Sequence, residues 1–442
     1  MAATDGGESL AAGHDPAQNG DSPRPRERGR NPVQSPSCGH VPVRLGEIAR
    51  TFAKIGTIGF GGGVGMLALL RQEVVEKRRW IDDAQLSVAV AMGQMLPGPF
   101  VSNYAEYIGY ELRSMRGMVT AHVSLMLPCF VLMLVLSMLY FRFGSMPIVA
   151  KLFSGVQPVV VGILAWATWS IGKANIRNRR SVVIGVIAAA ALFLKVDVLL
   201  VVIGCGVLGI LLMGKGQRDK GIERTDQPKS EVRGQKSEGR SEEGAGGKLR
   251  MLSLASLLPL LVVAAAVPGA WQKAGELAYV FLKIGAATFG GGFAAIPFLQ
   301  HEVVDVRHWL TMQEFIDGVA LGQVTPGPVA ITGAFVGFKV LGVAGAVIAY
   351  LGTFLPSFLM LWGLIHIYRR VQYNHVVQGF LSGVMPAVTG MILTATIFIG
   401  RTAIGGPVAA IVALLTLGLL LRYRLEPVWL ILGGALVGLV TV

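Results

Sequence analysis

Apolar stretches near residues 117–141, 148–172, 251–269, 345–367, 376–400, 404–421 and 425–442 recur along the chain. Each approaches the roughly 20 residues that cross a bilayer as a helix. Residues 181–213 hold two shorter apolar runs parted by Lys195 and Asp197. Two polar stretches interrupt this pattern. Residues 1–45 are rich in Gly, Pro, Ser, Asp and Arg without hydrophobic period, which predicts a disordered tail. Residues 214–250 carry ten Lys/Arg and seven Asp/Glu among Gly and Ser, the composition of a flexible linker. The pattern predicts an all-α polytopic membrane protein of about a dozen segments, in two halves at 46–213 and 251–442.

The halves repeat one another. Residues 52–63 read FAKIGTIGFGGG and residues 281–292 read FLKIGAATFGGG. At a spacing of 229, Glu73, Trp80, Gly93, Gln94 and Pro97-Gly98-Pro99 fall on Glu302, Trp309, Gly322, Gln323 and Pro326-Gly327-Pro328. After one deletion the spacing is 228, and Gly109, Gly117, Pro128, Gly155 and Pro158 fall on Gly337, Gly345, Pro356, Gly383 and Pro386. Duplicated halves with Gly/Pro-broken segments at matching places are the signature of a secondary transporter. The run at 251–269 has no counterpart before residue 52. With tail and linker on one side, that extra span delivers the second copy to the opposite face, so the repeats are expected to be inverted. Segments 46–70 and 84–112 are then expected to enter and return as broken hairpins.

Composition sharpens this picture. Hydrophobic residues make up 53% of the 442 positions and charged residues 15%, and the mean hydropathy is +0.59. The formal charge of +13 could point to nucleic acid, but it is concentrated in loops. Residues 22–45 hold five arginines against one glutamate, and 173–180 hold Lys173, Arg177, Arg179 and Arg180 without an acid. Positive flanks mark the cytoplasmic side, so tail and linker are expected there and no nucleic-acid partner is expected. The loop with Arg71, Lys77, Arg78 and Arg79 is the better cytoplasmic candidate than its counterpart around Arg307. No apolar segment resembling a signal peptide occurs in the first 45 residues. Cys38, Cys129 and Cys205 imply no disulfide framework.

Chemistry is expected at the breaks. Gly61-Gly62-Gly63 and Gly290-Gly291-Gly292 lie inside apolar segments, and each Gly weakens a helix by about 1 kcal/mol relative to Ala. A backbone opening in lipid persists only where it is packed in protein or lines a cavity. Free N–H groups at a half-helix start can hold an oxyanion, although close helix packing through small residues is the competing reading. Lys54 and Lys283 precede these runs at the same place, as attractors for an anion or as snorkelling side chains. Pro97-Gly98-Pro99 and Pro326-Gly327-Pro328 stop a helix, and the amides of Gln94 and Gln323 can donate to an anion without a buried charge. Glu73 and Glu302 pair with nearby bases or take up protons. Glu106, found only in the first half, is a further coupling candidate, with an interhelical polar contact as the alternative.

Other motifs fail on context. Gly204 to Gly209 fits G-x-G-x-x-G inside an apolar run without a strand before it. Gly214-Lys215 lacks P-loop spacing. No metal-ligand cluster, nucleophile elbow or redox-carrier fingerprint is read, so no cofactor, no metal and no enzyme activity are expected.

The set F-x-K-I-G-x-x-x-F-G-G-G, E-V-V before Trp-x-x-x-x-x-(Phe/Leu), G-Q-x-x-P-G-P and Ser-Gly-Val-x-Pro resembles the chromate transporter family, over about 46–213 and 251–442. Both copies in one chain look like the family's long, two-domain form. The resemblance implies chromate export across the inner membrane, chromate resistance, and a drive from membrane potential or protons. Sulfate, a dianion of the same shape, would compete, and a sulfate or other oxyanion importer on this fold is the alternative. The family motifs map onto Lys54, Gly61 to Gly63, Gln94, Pro97 to Pro99, Lys283, Gly290 to Gly292, Gln323 and Pro326 to Pro328. The expected partners are the anion and the bilayer, with a homodimer left open.

Overall fold

The computed structural model describes residues 43–59, 62–144, 146–176, 178–213, 270–372, 374–423 and 425–441. Nearly all of the expected tail, the linker and the unmatched run at 251–269 lie outside them. The first half comprises α1 (Leu45–Ile58), α2 (Gly62–Leu70) running into a π-helical turn at Arg71–Lys77, α3 (Asp83–Met95), α4 (Phe100–Phe143), α5 (Pro147–Asn175), α6 (Arg179–Phe193) and α7 (Val198–Met213). The second repeats it element for element. Its helices are α8 (Ala270–Ala287), α9 (Ala295–Leu299) with a π-helical turn at Gln300–Val306, α10 (Met312–Val324), α11 (Thr332–Val371), α12 (His375–Ala403), α13 (Pro407–Tyr423) and α14 (Pro427–Thr441).

Local chemistry sets the boundaries. Asp82 accepts from the Gln85 backbone while the Gln85 side chain accepts from Asp82 N–H, and Thr311 and Glu314 do the same before α10. These reciprocal caps satisfy two orphan donors at each helix start.

The longest helices turn back on themselves. Glu106 and His122 meet at 2.8 Å, whereas 16 residues of straight helix would part them by about 24 Å. The reversal lies at Arg113 (φ −149°, ψ 30°) and Ser114 (φ 49°, ψ −145°). Gly109 and Gly117 let the two limbs touch backbone to backbone. In α11 the reversal falls at Leu341 and Gly342 (φ 59°, ψ −144°), and Gly337 and Gly345 make the same contact.

The expected broken hairpins are present. Lys54 reaches Glu73 at 2.8 Å and Lys283 reaches Glu302 at 2.7 Å, 19 residues apart in both cases, so α1 and α8 are followed by chain that returns. Gly93 packs on Tyr104 and Gly318 on Phe335, which closes a second hairpin in each half around Pro-Gly-Pro.

Equivalent helices of the two halves cross in opposite directions. His122 of α4 lies near Phe358 of α11 while Phe130 lies near Tyr350, with ring centroids 5.7 Å and 5.0 Å apart. His122 also touches Tyr350, its own counterpart at spacing 228. In α5 and α12 the counterparts Thr168 and Thr396 lie 3.5 Å apart, Gly172 faces Thr389 and Val161 faces Gly400. As one index rises the other falls, so both pairs are antiparallel about one pseudo-two-fold axis. The repeat is inverted, on grounds that do not use residues 251–269.

The last hairpin of each half clasps the other half. Gly155 of α5 lies against Gly434 and Gly438 of α14, and Gly209 of α7 against Gly379 and Gly383 of α12. Small residues at these crossings allow backbones to approach as closely as in membrane helix pairs. Among the described residues, four helices are long and apolar enough to span, and large hydrophobics such as Leu127, Val186, Leu200, Leu414 and Leu436 face outward. This is a multi-pass membrane protein.

Candidate functional site

The four breaks meet, each half closing against the other. Gly98 N–H donates to the Thr288 carbonyl at 2.6 Å, and Gly327 N–H to the Gly59 carbonyl at 3.1 Å. Gly98 and Gly327 have φ of 104° and 119°, in the region that favours glycine. A Cβ on Gly291 would lie 3.1 Å from the Phe100 ring, and one on Gly292 would lie 3.0 Å from Val329 N. The second glycine run therefore sits beside both Pro-Gly-Pro turns. Gly62 and Gly63 open α2, while Gly61 lies outside the described residues.

The helix starts at this meeting point are uncapped. Pro99 and Pro328 occupy the cap positions before α4 and before the single turn Val329–Ile331 that leads into α11. Proline has no side-chain acceptor, so neither start has a capping hydrogen bond. The first N–H groups of a helix have no intrahelical acceptor, and the macrodipole adds partial positive charge there. Gln323, at the end of α10, is buried and its amide nitrogen has no hydrogen-bond partner among the described residues. A buried unpaired donor costs about 1–3 kcal/mol, which an anionic acceptor would offset. Its counterpart Gln94 is exposed, so the two halves present their amides differently.

Lys54 and Lys283 lie in ion-pair clusters of unequal charge. Lys54 and Lys77 share the buried Glu73, at 2.8 Å and 2.9 Å. The bond from Lys54, then that from Lys77, holds the Glu73 carboxyl below its ordinary value. Two cations and one carboxylate leave one positive charge. In the second half Lys283 meets Glu302 at 2.7 Å and Asp197 at 2.5 Å, while Arg307 meets Glu302 and, at 3.0 Å, Glu276. Two cations and three carboxylates leave one negative charge. Asp197 enters this cluster from the short loop between α6 and α7, a partner that spacing along the chain does not disclose.

Two further polar groups are buried between the halves. Glu106 Oε1 lies 2.8 Å from His122 Nδ1, and His122 Nε2 lies 3.0 Å from the Tyr350 hydroxyl. Glu106 is fully buried and its second oxygen has no partner among the described residues. The sequence signal for this group was a polar residue at matching places in two apolar runs, His122 and Tyr350. Asp317, on α10, receives hydrogen bonds from Tyr140 and from Gln157. It has Val88 as its counterpart, so comparing the repeats did not single it out.

The comparisons agree with this architecture. The chromate transporter family matches residues 46–210 and again 275–439. The chain is 30% identical over 399 residues to the chromate transport protein of Cupriavidus metallidurans, covering 90% of this chain and 93% of that one. It is 30% identical over 362 residues to the chromate transport protein of Pseudomonas aeruginosa, covering 80% and 81%. An uncharacterised transporter of Bacillus subtilis is 32% identical over 167 residues, which is 36% of this chain but 94% of that protein. No solved structure matches the chain.

Proposed function

Because the chain belongs to the chromate transporter family, we propose that it is a secondary transporter that moves chromate from the cytoplasm across the inner membrane and so confers resistance. The observation that carries this reading is the unpaired amide nitrogen of Gln323, in the second half's broken hairpin, whose Pro-Gly-Pro turn leads to an uncapped helix start. Tetrahedral oxyanions are acceptors only, and amide and backbone N–H groups are matched to them without a competing buried charge. The glycines and prolines at 61–63, 97–99, 290–292 and 326–328, with Gln94 and Gln323, form the path in this reading. Glu73, Glu106 and Glu302 are the coupling candidates in this reading.

The distribution of charge supports this direction. The cluster around Lys54 is net positive and belongs to the arginine-rich, cytoplasmic face expected from the loop charges, so it gathers anions there. The cluster around Lys283 is net negative and favours release on the other side. An inside-negative potential contributes about 2.3 kcal/mol per charge per 100 mV. A dianion leaving the cell therefore gains about 4.6 kcal/mol, enough for a gradient of about three orders of magnitude.

Everted membrane vesicles test the reading. Labelled chromate supplied outside them should accumulate when a potential or pH gradient is imposed, and excess sulfate should inhibit. Accumulation only in right-side-out vesicles would make the protein an oxyanion importer, and loss of Cr(VI) without accumulation would make it a reductase.

A further inference from the structure

Asp317 is a carboxylate enclosed by neutral groups at the contact between the halves. It is 4% exposed. Its Oδ2 accepts from the Tyr140 hydroxyl and its Oδ1 from Gln157 Nε2, both at 2.8 Å. No Lys, Arg or His pairs with it among the described residues. On its own helix the nearest charge is Glu314, which Lys339 of α11 holds at 2.7 Å. From α4 it meets Tyr140 and from α5 the uncharged Gln157. The neighbouring α14 has no titratable residue, and those of α12, His375 and Arg401, lie towards its two ends. The π-helical turn before α10 carries His301, Glu302 and Asp305, and there Glu302 is already bound by Lys283 and Arg307.

An ionised carboxylate in such surroundings costs several kcal/mol that two neutral hydrogen bonds offset only in part. Protonation removes that cost. Both bonds tie α10 of the second half to α4 and α5 of the first, and Gln323 lies on the same helix six residues on, about 9 Å along its axis. The charge state of Asp317 therefore acts on how tightly the helix bearing the unpaired amide is held. With Val88 at the equivalent place, the inverted scaffold has this group once.

We propose that Asp317 is the proton-binding group through which a pH gradient acts on anion movement, a role that rests on the transport reading above. In the step, a proton from the aqueous phase forms an O–H bond on one carboxylate oxygen, with no electron transfer. The neutral acid donates to the Tyr140 oxygen in place of receiving from it, which loosens α10. The proton leaves to the opposite aqueous phase when the helix is drawn back.

The test uses the full chain in liposomes with an internal pH dye, under a potassium diffusion potential without a pH gradient, and under a pH gradient without a potential. Wild-type protein should move chromate under either and admit protons in exchange. Each proton exchanged makes one pH unit worth about a tenfold change in the chromate ratio. Asp317→Asn should lose the pH-driven component and the proton signal while still catalysing chromate–chromate exchange, and Asp317→Glu should restore both. A carboxylic-acid infrared band that appears on acidification and vanishes in Asp317→Asn should be seen without any substrate. PH-driven flux unchanged in Asp317→Asn, or a titrating band unchanged in it, overturns the proposal. Absence of chromate flux in wild type with the band intact would instead sink the transport reading alone.

Discussion

The Gly98 amide and the Thr288 carbonyl, 190 positions of chain apart by their numbers, lie 2.6 Å from one another, and symmetry repeats the bond from Gly327 to Gly59 at 3.1 Å. Each half thus seals the broken backbone of the other. A lone half would leave these groups unpaired in lipid, at several kcal/mol each. Residues 1–213 and 251–442 expressed separately should each be degraded, and together should accumulate as a complex that co-purifies. Stable accumulation of either half alone would contradict this interdependence.

The same glycines leave no space for a side chain. A Cβ on Gly98 would come within 2.6 Å of Ser357 Cβ, and one on Gly327 within 2.8 Å of Cys129 Sγ. Overpacking costs about 1–3 kcal/mol and the positive φ adds of order 1 kcal/mol more. Gly98→Ala and Gly327→Ala should each lower the melting temperature in detergent. Cys129→Ala should recover the steric part in Gly327→Ala but not the conformational part.

Ser114 carries the opposite burden. It holds φ 49°, ψ −145° at the reversal of α4, where the equivalent residue of α11 is Gly342. Glycine adopts this conformation without the Cβ penalty. Ser114→Gly should therefore raise stability by about 1 kcal/mol, read as a higher melting temperature with chromate flux retained. A lower melting temperature would mean that the serine side chain contributes more than its backbone strain costs.

Gln323 separates function from packing. Leucine has nearly the same volume, and replacing an unpaired buried donor by an apolar group is close to neutral or stabilising. Gln323→Leu should melt at or above the wild-type temperature. Its apparent chromate affinity should nevertheless fall about 10- to 100-fold, the worth of one hydrogen bond to a charged acceptor. A destabilised variant, or one with unaltered affinity, would remove the amide from the anion path.

Much of this was legible in the sequence, because the duplicated motifs align the breaks of both halves and the apolar runs give the spans. The hairpins at GFGGG and Pro-Gly-Pro follow from charge placement and helix-breaking residues, and the structure has them. Contacts across the axis were not legible. Asp197 reaches Lys283 across 86 positions and Tyr140 reaches Asp317 across 177, and no local period encodes such pairs. The reversal at Arg113 and Ser114 falls between the expected hairpin at 84–112 and the apolar run from 117, but its backbone conformation was not legible there. Both are ordinary polar residues, and only Gly342 in the second copy marks the turn.

The unequal clusters predict a graded response to charge. Glu73→Gln should raise the local charge around Lys54 by one unit and Lys54→Met should lower it by one. At low ionic strength, initial chromate uptake into everted vesicles should rank Glu73→Gln above wild type and wild type above Lys54→Met, because steering scales with local potential. The differences should shrink as salt shortens the Debye length to about 8 Å at physiological ionic strength. The pH dependence has a definite sign. The Glu73 carboxyl is held below its ordinary value in the folded protein, so its pairing contributes stability above the ordinary carboxylate range and loses it as pH falls through the folded value. Wild-type melting temperature should drop on acidification more steeply than that of Glu73→Gln. Since Lys54 is 53% exposed, solvent screening keeps the difference small. Parallel melting curves would show that the pairing adds nothing to the hold on the first hairpin, and a rate order insensitive to salt would show that the cluster does not gather anions.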